Sequence, residues 1–349
     1  MKINALVAHD ATHPLTSGQV TIRTLQRRDV QIEVLYCGVC HSDLHMARNE
    51  WGVSRYPLVP GHEIVGRVTR VGMDVTRFKP GEIVGVGVMV DACRECHFCQ
   101  QHEEQYCDAG FTPTYNGIDR YTGDSTRGGY AESVIVDEHF VLSVPGNLFL
   151  AGVAPLLCAG VTVWSPLRHF NVRAGDRVGV VGLGGLGHMA VKLASAMGAD
   201  VTLFTTSAEK GEDARRLGAD RVVVSRDVEQ MTACRNALDI IIDCVSAPHD
   251  LDPYLASLRN NGRLVLVGIP EQPHTSPDIT PMVFRRLSIS GSSIGSIQET
   301  QEMLDFCGEH NITADIEIID GQEIETAFAR MLRGDIRYRF VIDMKATRW

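Results

Sequence analysis

The sequence predicts an α/β protein: a doubly wound parallel sheet joined to a second, barrel-like β domain. Three observations carry this. The stretch from Arg177 to Ser290 alternates apolar strand-like runs with segments of helical spacing, and the run Gly182-Leu183-Gly184-Gly185-Leu186-Gly187 directly follows the first of those strands. Residues 20–145 instead show short β-rich runs broken by Gly and Pro. Strand and helix in alternation suit a parallel sheet covered on both faces, whereas closely spaced strands without helices suit a barrel or sandwich. A chain of 349 residues also exceeds what one hydrophobic core usually supports. The expected division is 149–290 for the α/β domain, with 1–148 and 291–349 together forming the β domain.

Each element follows from local composition. Met1 to Pro14 reads as a first strand, because His9 and Asp10 interrupt the apolar run that a secretory signal needs, and a cytoplasmic location is expected. Val30–Tyr36, Ile64–Val71, Ile83–Val90 and Ala131–Val136 are β-branched runs that read as strands. Leu148 to Trp164 is the most apolar stretch and is about as long as a short membrane span. Pro155 lies inside it and Gly152 and Gly160 loosen it, so it reads as a buried helix and turn between domains. Six strands follow, at Arg177–Val181, Val201–Thr205, Arg221–Val224, Asp239–Asp243, Arg263–Val267 and Leu287–Ser290, with helical spacing between them as in His188–Met197. Tyr338–Met344 is a last strand-like run, expected to fold back onto the β domain.

The hydrophobic fraction of 44% and charged fraction of 22% fit a soluble globular protein. A formal charge of −10 repels nucleic acid and anionic membranes at long range, so neither is an expected partner. In a cytoplasmic protein the ten cysteines serve as thiolate ligands or small core residues rather than disulfides. Cys37, Cys234, Cys244 and Cys307 are assigned to packing.

The other six fall into two sets. Cys93, Cys96, Cys99 and Cys107 have the spacing Cys-x2-Cys-x2-Cys-x7-Cys, enough thiolate to close a tetrahedral zinc shell with no open position, which is a structural site. Cys40, His62 and Cys158 form a three-ligand set that leaves one coordination position free for a water or a substrate oxygen. The chain is thus expected to hold two zinc ions with different tasks.

Gly182 to Gly187 follows a strand and opens a helix, the setting in which such glycines bind a dinucleotide. The first permits the tight turn, the second lets the backbone approach a pyrophosphate, and the third lets helix pack on strand. The second strand of the α/β domain ends in Thr205-Thr206-Ser207-Ala208-Glu209-Lys210, without the usual acid for a ribose 2′-hydroxyl. Hydroxyls followed by a cation suit a 2′-phosphate, so NADP(H) is the expected cofactor.

Gly61-His62-Glu63 followed by Gly66, Gly72 and Val75, with both cysteine sets, resembles the zinc-dependent medium-chain alcohol dehydrogenases over essentially the whole chain. Cys40-His-Ser-Asp-Leu-His45, Cys158-Ala-Gly-Val-Thr162 and the Thr-Thr-Ser segment resemble its cinnamyl-alcohol-dehydrogenase-like branch, which includes NADPH-dependent aldehyde reductases. The resemblance implies a Rossmann domain beside a GroES-like catalytic domain, a homodimer, and an aldehyde or alcohol as the small-molecule substrate. It implies that Ser42 contacts the substrate oxygen and passes a proton towards His45, that Asp43 orients His62, and that Glu63 is a transient zinc ligand or an ion-pair partner. Thr162, Gly182 to Gly187, Thr206, Ser207, Lys210, Gly268, Ser292, Ser293, Ile294 and Arg339 match family cofactor positions. Where plant members carry a bulky aromatic, this chain has Ser293, so a strict cinnamyl preference is not expected. Trp51, Leu58 and the loop Asp108–Arg127, with Phe111, Tyr115 and Tyr121, are candidates for an apolar pocket. The expected reaction is reversible reduction of aldehydes to primary alcohols; the alternative is an NAD-linked secondary alcohol or polyol dehydrogenase.

Overall fold

The computed structural model describes residues 1–270 and 272–349. The chain divides into two compact units, Met1–Cys158 with Ser296–Trp349, and Ala159–Gly295.

The second unit is built on six parallel strands in the spatial order Arg221–Val224, Asp200–Thr205, Arg177–Val181, Leu238–Asp243, Leu258–Leu266 and Ser288–Gly291. Chain order reverses between Arg177–Val181 and Leu238–Asp243, and ligands of such sheets bind beyond the carboxyl ends of the strands at that switch point. The central strands are apolar on both faces, as strands covered by helices on either side must be. Phe204, Leu238, Ile241, Leu255, Leu258 and Leu264 form the core of one face. Helix Gly187–Ala196 starts beside the switch point and ends at Gly198, whose φ of 83° suits a residue without a side chain.

The first unit centres on a seven-stranded sheet. The long strand Asp29–Val39 pairs with Ile64–Val71, Ser133–Asp137 and Arg339–Asp343, all antiparallel. The C-terminal segment thus supplies a strand to this sheet, and Ile316–Ile319 pairs parallel beyond it. The run expected as one strand over Ile83–Val90 is two, Ile83–Val86 and Met89–Asp91. The break falls at Gly87 and Val88, whose carbonyls accept hydrogen bonds from the Thr114 hydroxyl and the Thr114 N–H instead of from a neighbouring strand. The apolar stretch after Leu148 becomes helix Leu150–Val153, a 3-10 turn Ala154–Leu157 and helix Ala159–His169, nearly all of it buried. Among the described residues no single helix is long and apolar enough to cross a membrane.

Candidate active site

Cys40, His62, Glu63 and Cys158 converge in the first unit, with one ligand atom from each lying within 4.8 Å of all the others. Three local devices bring them there. Cys40 ends strand Asp29–Val39 and caps helix His41–Ala47, where its N–H donates to Asp43 Oδ2 at 2.8 Å. His62 and Glu63 lead directly into the partner strand Ile64–Val71, behind Gly61 at φ 101°. Cys158 closes the turn Ala154–Leu157, which packs against the glycine-bearing strand Ile83–Val86: a side chain at Gly85 would press on the Leu157 side chain at 3.0 Å, and one at Gly87, just past the strand, on the Leu157 carbonyl at 2.9 Å. Gly38 is required for a similar reason, because a Cβ there would collide with the Glu63 carboxylate.

The charges around this cluster are arranged to hold a cation. Burial disfavours an imidazolium at His62, yet the Asp43 carboxylate, 3.3 Å from Nδ1, outweighs it and raises the group well above its ordinary value. The same carboxylate accepts the Gly61 N–H at 3.0 Å, so one buried acid braces both ligand-bearing segments. A hydrogen bond from Cys158 favours the Cys40 thiolate and holds it well below the usual thiol value. Glu63 is fully buried and its carboxyl is pushed up to about 7, chiefly by burial and against the pull of Arg339. Arg339 pairs with Glu63 Oε1, while Glu63 Oε2 has no hydrogen-bond partner. Two thiols, an imidazole with a carboxylate behind it and an orphaned carboxylate oxygen fit a zinc ion in both charge and ligand type. The ring of Tyr115 stacks over His62 with centroids 5.7 Å apart and walls one side.

Ser42 and His45 lie three residues apart on helix His41–Ala47, on one face. The Ser42 hydroxyl donates to Cys40 Sγ at 3.1 Å, and His45 Nδ1 contacts Glu50 Oε2 while its ring lies 5.2 Å from Trp51. Glu50 was not singled out from the sequence, because nothing in its local pattern separates it from a solvated surface acid.

Cys93, Cys96, Cys99 and Cys107 also gather within 4.8 Å. Backbone N–H groups of Glu95 and Cys96 point at Cys93 Sγ at 3.5 and 3.3 Å, and the Cys93 N–H points at Cys107 Sγ at 3.4 Å. Those donors hold the Cys93 thiol down at about 6, and amides aimed at sulfur are what a tetrathiolate zinc site requires. Glu104, in the same lobe, meets His139 Nε2 at 3.2 Å and accepts the Ile297 N–H at 3.4 Å, fastening the lobe to its own unit.

In the second unit, Gly182 turns at φ 87° immediately after Val181. A Cβ at Gly187 would collide with the Gly182 carbonyl, whereas one at Gly184 would meet nothing within 4 Å. The turn is therefore tight where helix meets strand and open where a phosphate would approach, and the helix behind it directs its first N–H groups outward. Lys210 reaches back to this turn, with Nζ donating to the Leu183 carbonyl at 3.3 Å. Ser207 does not cap the short helix that follows it, and Thr206 is exposed beside it. Gly268 closes against Val245, Ser292 donates to the Leu266 carbonyl at 3.1 Å, and Ile294 adopts φ 39°. Thr162 is buried in helix Ala159–His169. Arg339, matched to a cofactor position, lies in the first unit against Glu63.

The pocket candidates separate. Leu58 and Tyr115 pack with Ala8, Met46 and Ala47 in one cluster next to His62. Tyr121 instead lies under the Arg23 guanidinium at 5.2 Å and lines a different cavity of about 180 Å³ with Asp119 and Asp137. Arg23 pairs with Asp119 at 2.9 Å, which anchors that half of the loop at this separate cavity.

Residues 26–146 match the family model described as alcohol dehydrogenase GroES-like domain, and residues 185–309 match the one described as zinc-binding dehydrogenase. The chain is 52% identical over 345 residues to the aldehyde reductase YahK of Escherichia coli strain K12, covering 98% of each. It is 51% identical over 348 residues to a probable mannitol dehydrogenase of Fragaria ananassa, covering 99% of this chain and 96% of that one. Among solved structures it resembles a CAD from Helicobacter pylori complexed with NADP(H), at 39% identity and a TM-score of 0.93 over 100% of this chain and 99% of that one.

Proposed function

The chain belongs to the zinc-binding, GroES-like alcohol dehydrogenases, and from that membership we propose that it reduces aldehydes to primary alcohols, reversibly, with NADPH as the hydride donor. One observation carries the reading: Cys40, His62 and Cys158 offer ligand atoms within 4.8 Å of one another with Asp43 behind the imidazole, while Glu63 is paired with Arg339; a zinc ion held by those three would keep one position for a carbonyl oxygen. When bound there, zinc supplies a Lewis acid for a carbonyl oxygen, and reduced nicotinamide supplies the hydride.

The remaining steps belong to side chains of this protein. Ser42 is beside Cys40 and is placed to donate its hydroxyl proton to the substrate oxygen as negative charge grows there. His45, with Glu50 at its Nδ1, is placed to return that proton from solvent. Tyr115 and Leu58 exclude water on one side of the ligands. Thr206, Ser207 and Lys210 hold the 2′-phosphate, and Gly182–Gly187 the pyrophosphate; a relative complexed with NADP(H) supports that choice. The likeness to a probable mannitol dehydrogenase supports polyol oxidation as a second reading.

Homodimer formation belongs to the same proposal. Among the described residues strand Ser288–Gly291 is paired on one side only, and helix Ile279–Arg285 before it exposes Val283 (73%) and Phe284 (83%). An open sheet edge beside exposed apolar side chains suits self-pairing. A cytoplasmic location is likewise proposed, since none of the ten cysteines is joined in a disulfide and six of them gather in two metal-ligand groups.

The test is a set of initial rates with NADPH and NADH over aliphatic and benzylic aldehydes, and with mannitol and NADP⁺ in reverse. Aldehyde reduction with NADPH, abolished by a chelator and restored by zinc, is expected. Undiminished turnover after metal removal, or faster mannitol oxidation with NAD⁺, would overturn the assignment.

A further inference from the structure

Asp243 ends the fourth strand of the parallel sheet at the switch point, and it is 1% exposed. Its Oδ1 accepts the Val245 N–H at 3.1 Å, and its carbonyl accepts the N–H groups of Val267 at 3.0 Å and Gly268 at 3.3 Å. The next residue, Cys244, donates to the Val181 carbonyl at 3.0 Å. Val245 then fills the space between two glycine turns: a Cβ at Gly182 would meet its side chain at 2.9 Å, and one at Gly268 would collide with its carbonyl. The position of Val245 therefore sets the spacing of the backbone at Gly182 and Gly268, both placed here at the dinucleotide.

Asp243 Oδ2 points the other way, to His249 Nε2 at 2.9 Å. The contact satisfies neither atom by hydrogen-bond direction, so each remains an unpaired polar atom in a buried place unless opposite charges hold them together. His249 is fixed from its other side, because Nδ1 lies 2.9 Å from the Ala247 carbonyl. The further groups facing it are the ring of His274 at 4.9 Å, the ring of Tyr254 at 5.7 Å and the neighbouring Asp250.

We propose that Asp243 and His249 form a charge-operated clamp that positions Val245 beneath the dinucleotide, so that binding tightens when the His249 imidazole is protonated. His249 is a positioning residue, acting through Asp243 and Val245. The inference rests on the reading that Gly182–Gly187 holds NADPH. Asp243 raises His249 above its ordinary value of 6.5, against the effect of burial. The clamp is thus complete below 6.5 and is lost as pH rises through the raised value.

The experiment is the dissociation constant of NADPH, by fluorescence titration from pH 5.5 to 9, for the natural chain, His249→Gln and Asp243→Asn. The titration of the dinucleotide's own phosphate is common to all three and cancels in the ratios. For the natural chain, affinity should fall relative to His249→Gln by about fivefold across the His249 titration, the low end of typical coupling between sites. Asp243→Asn should abolish the same pH-dependent component even if its absolute affinity is lower. Parallel profiles for the three proteins would overturn the clamp while leaving the site intact. Absence of NADPH binding by the natural chain would overturn both the clamp and the dinucleotide reading beneath it.

Discussion

Asp43 stands behind His62, its Oδ1 3.3 Å from the ring Nδ1, and is completely buried. Its two oxygens also accept the N–H groups of Gly61 and Cys40, so a single carboxylate fixes the ring orientation of one ligand and the backbone of two. Asp43→Asn keeps the size and loses the charge. Acids in this position typically raise metal affinity by roughly 10–100-fold. The variant should therefore lose one zinc, and with it turnover, when dialysed against a chelator that leaves the natural chain loaded, while the tetrathiolate zinc stays. Metal analysis after dialysis reads this directly, and retention of both ions at the natural affinity would count against it.

Glu63 and Arg339 make a second such dependency, because both are buried and each is the other's counter-charge. Arg339→Met leaves the Glu63 carboxylate without that partner. Breaking a buried pair from one side costs about 3–5 kcal/mol, whereas replacing both partners costs much less. The single variant should unfold at markedly lower urea, and Glu63→Gln with Arg339→Met should recover part of the loss. A single variant as stable as the natural chain would show that the pair contributes nothing to the fold.

What could be read from the sequence follows from how local each feature is. Arg177–Val181 and Ile64–Val71 have the same bounds in the structure as in the sequence reading, because both are rich in β-branched residues and each is followed at once by a glycine, Gly182 and Gly72. Thr16–Thr21 and Ile316–Ile319 carry a weak strand signal: one is polar with a glycine inside, the other is short and interrupted by Glu317, and both are strands because neighbours supply the pairing. Both cysteine sets were visible from ligand type and spacing. The separation of Tyr115 from Tyr121 within one loop was not, since it depends on Arg23, nearly a hundred residues earlier. Asp243 and His249 also gave no signal, because the loop between them brings them together only once Ala247 has turned the chain.

Lys210 Nζ lies at the Leu183 carbonyl, next to the glycine turn, and Ser207 leaves the following helix uncapped. Both are then available to a 2′-phosphate but have nothing comparable to hold on NADH. A hydrogen bond to a charged group contributes about 1.5–3 kcal/mol. Lys210→Ala combined with Ser207→Ala should raise the KM for NADPH by on the order of 100-fold and that for NADH by severalfold at most, with kcat at saturation little changed. Steady-state kinetics with both coenzymes measure the ratio, and equal losses would remove the electrostatic basis for the coenzyme preference.

Glu104 tests whether the tetrathiolate lobe is tied to its unit by charge. Burial opposes ionisation of this carboxyl, but His139 and the Ile297 N–H together hold it below its ordinary value of 4.5. A depressed carboxylate contributes stability that is present above 4.5 and disappears as pH falls through the lower folded value. Glu104→Gln keeps an acceptor for the Ile297 N–H and loses the charge facing His139. It should cost about 1–3 kcal/mol near neutral pH. That difference should shrink steadily as the medium is acidified below 4.5, where the natural carboxylate is protonated too. Urea unfolding of both proteins at a series of pH values gives the difference curve. A gap that stays constant into the acid range would mean that Glu104 acts by shape alone, and that its negative charge does not hold the lobe.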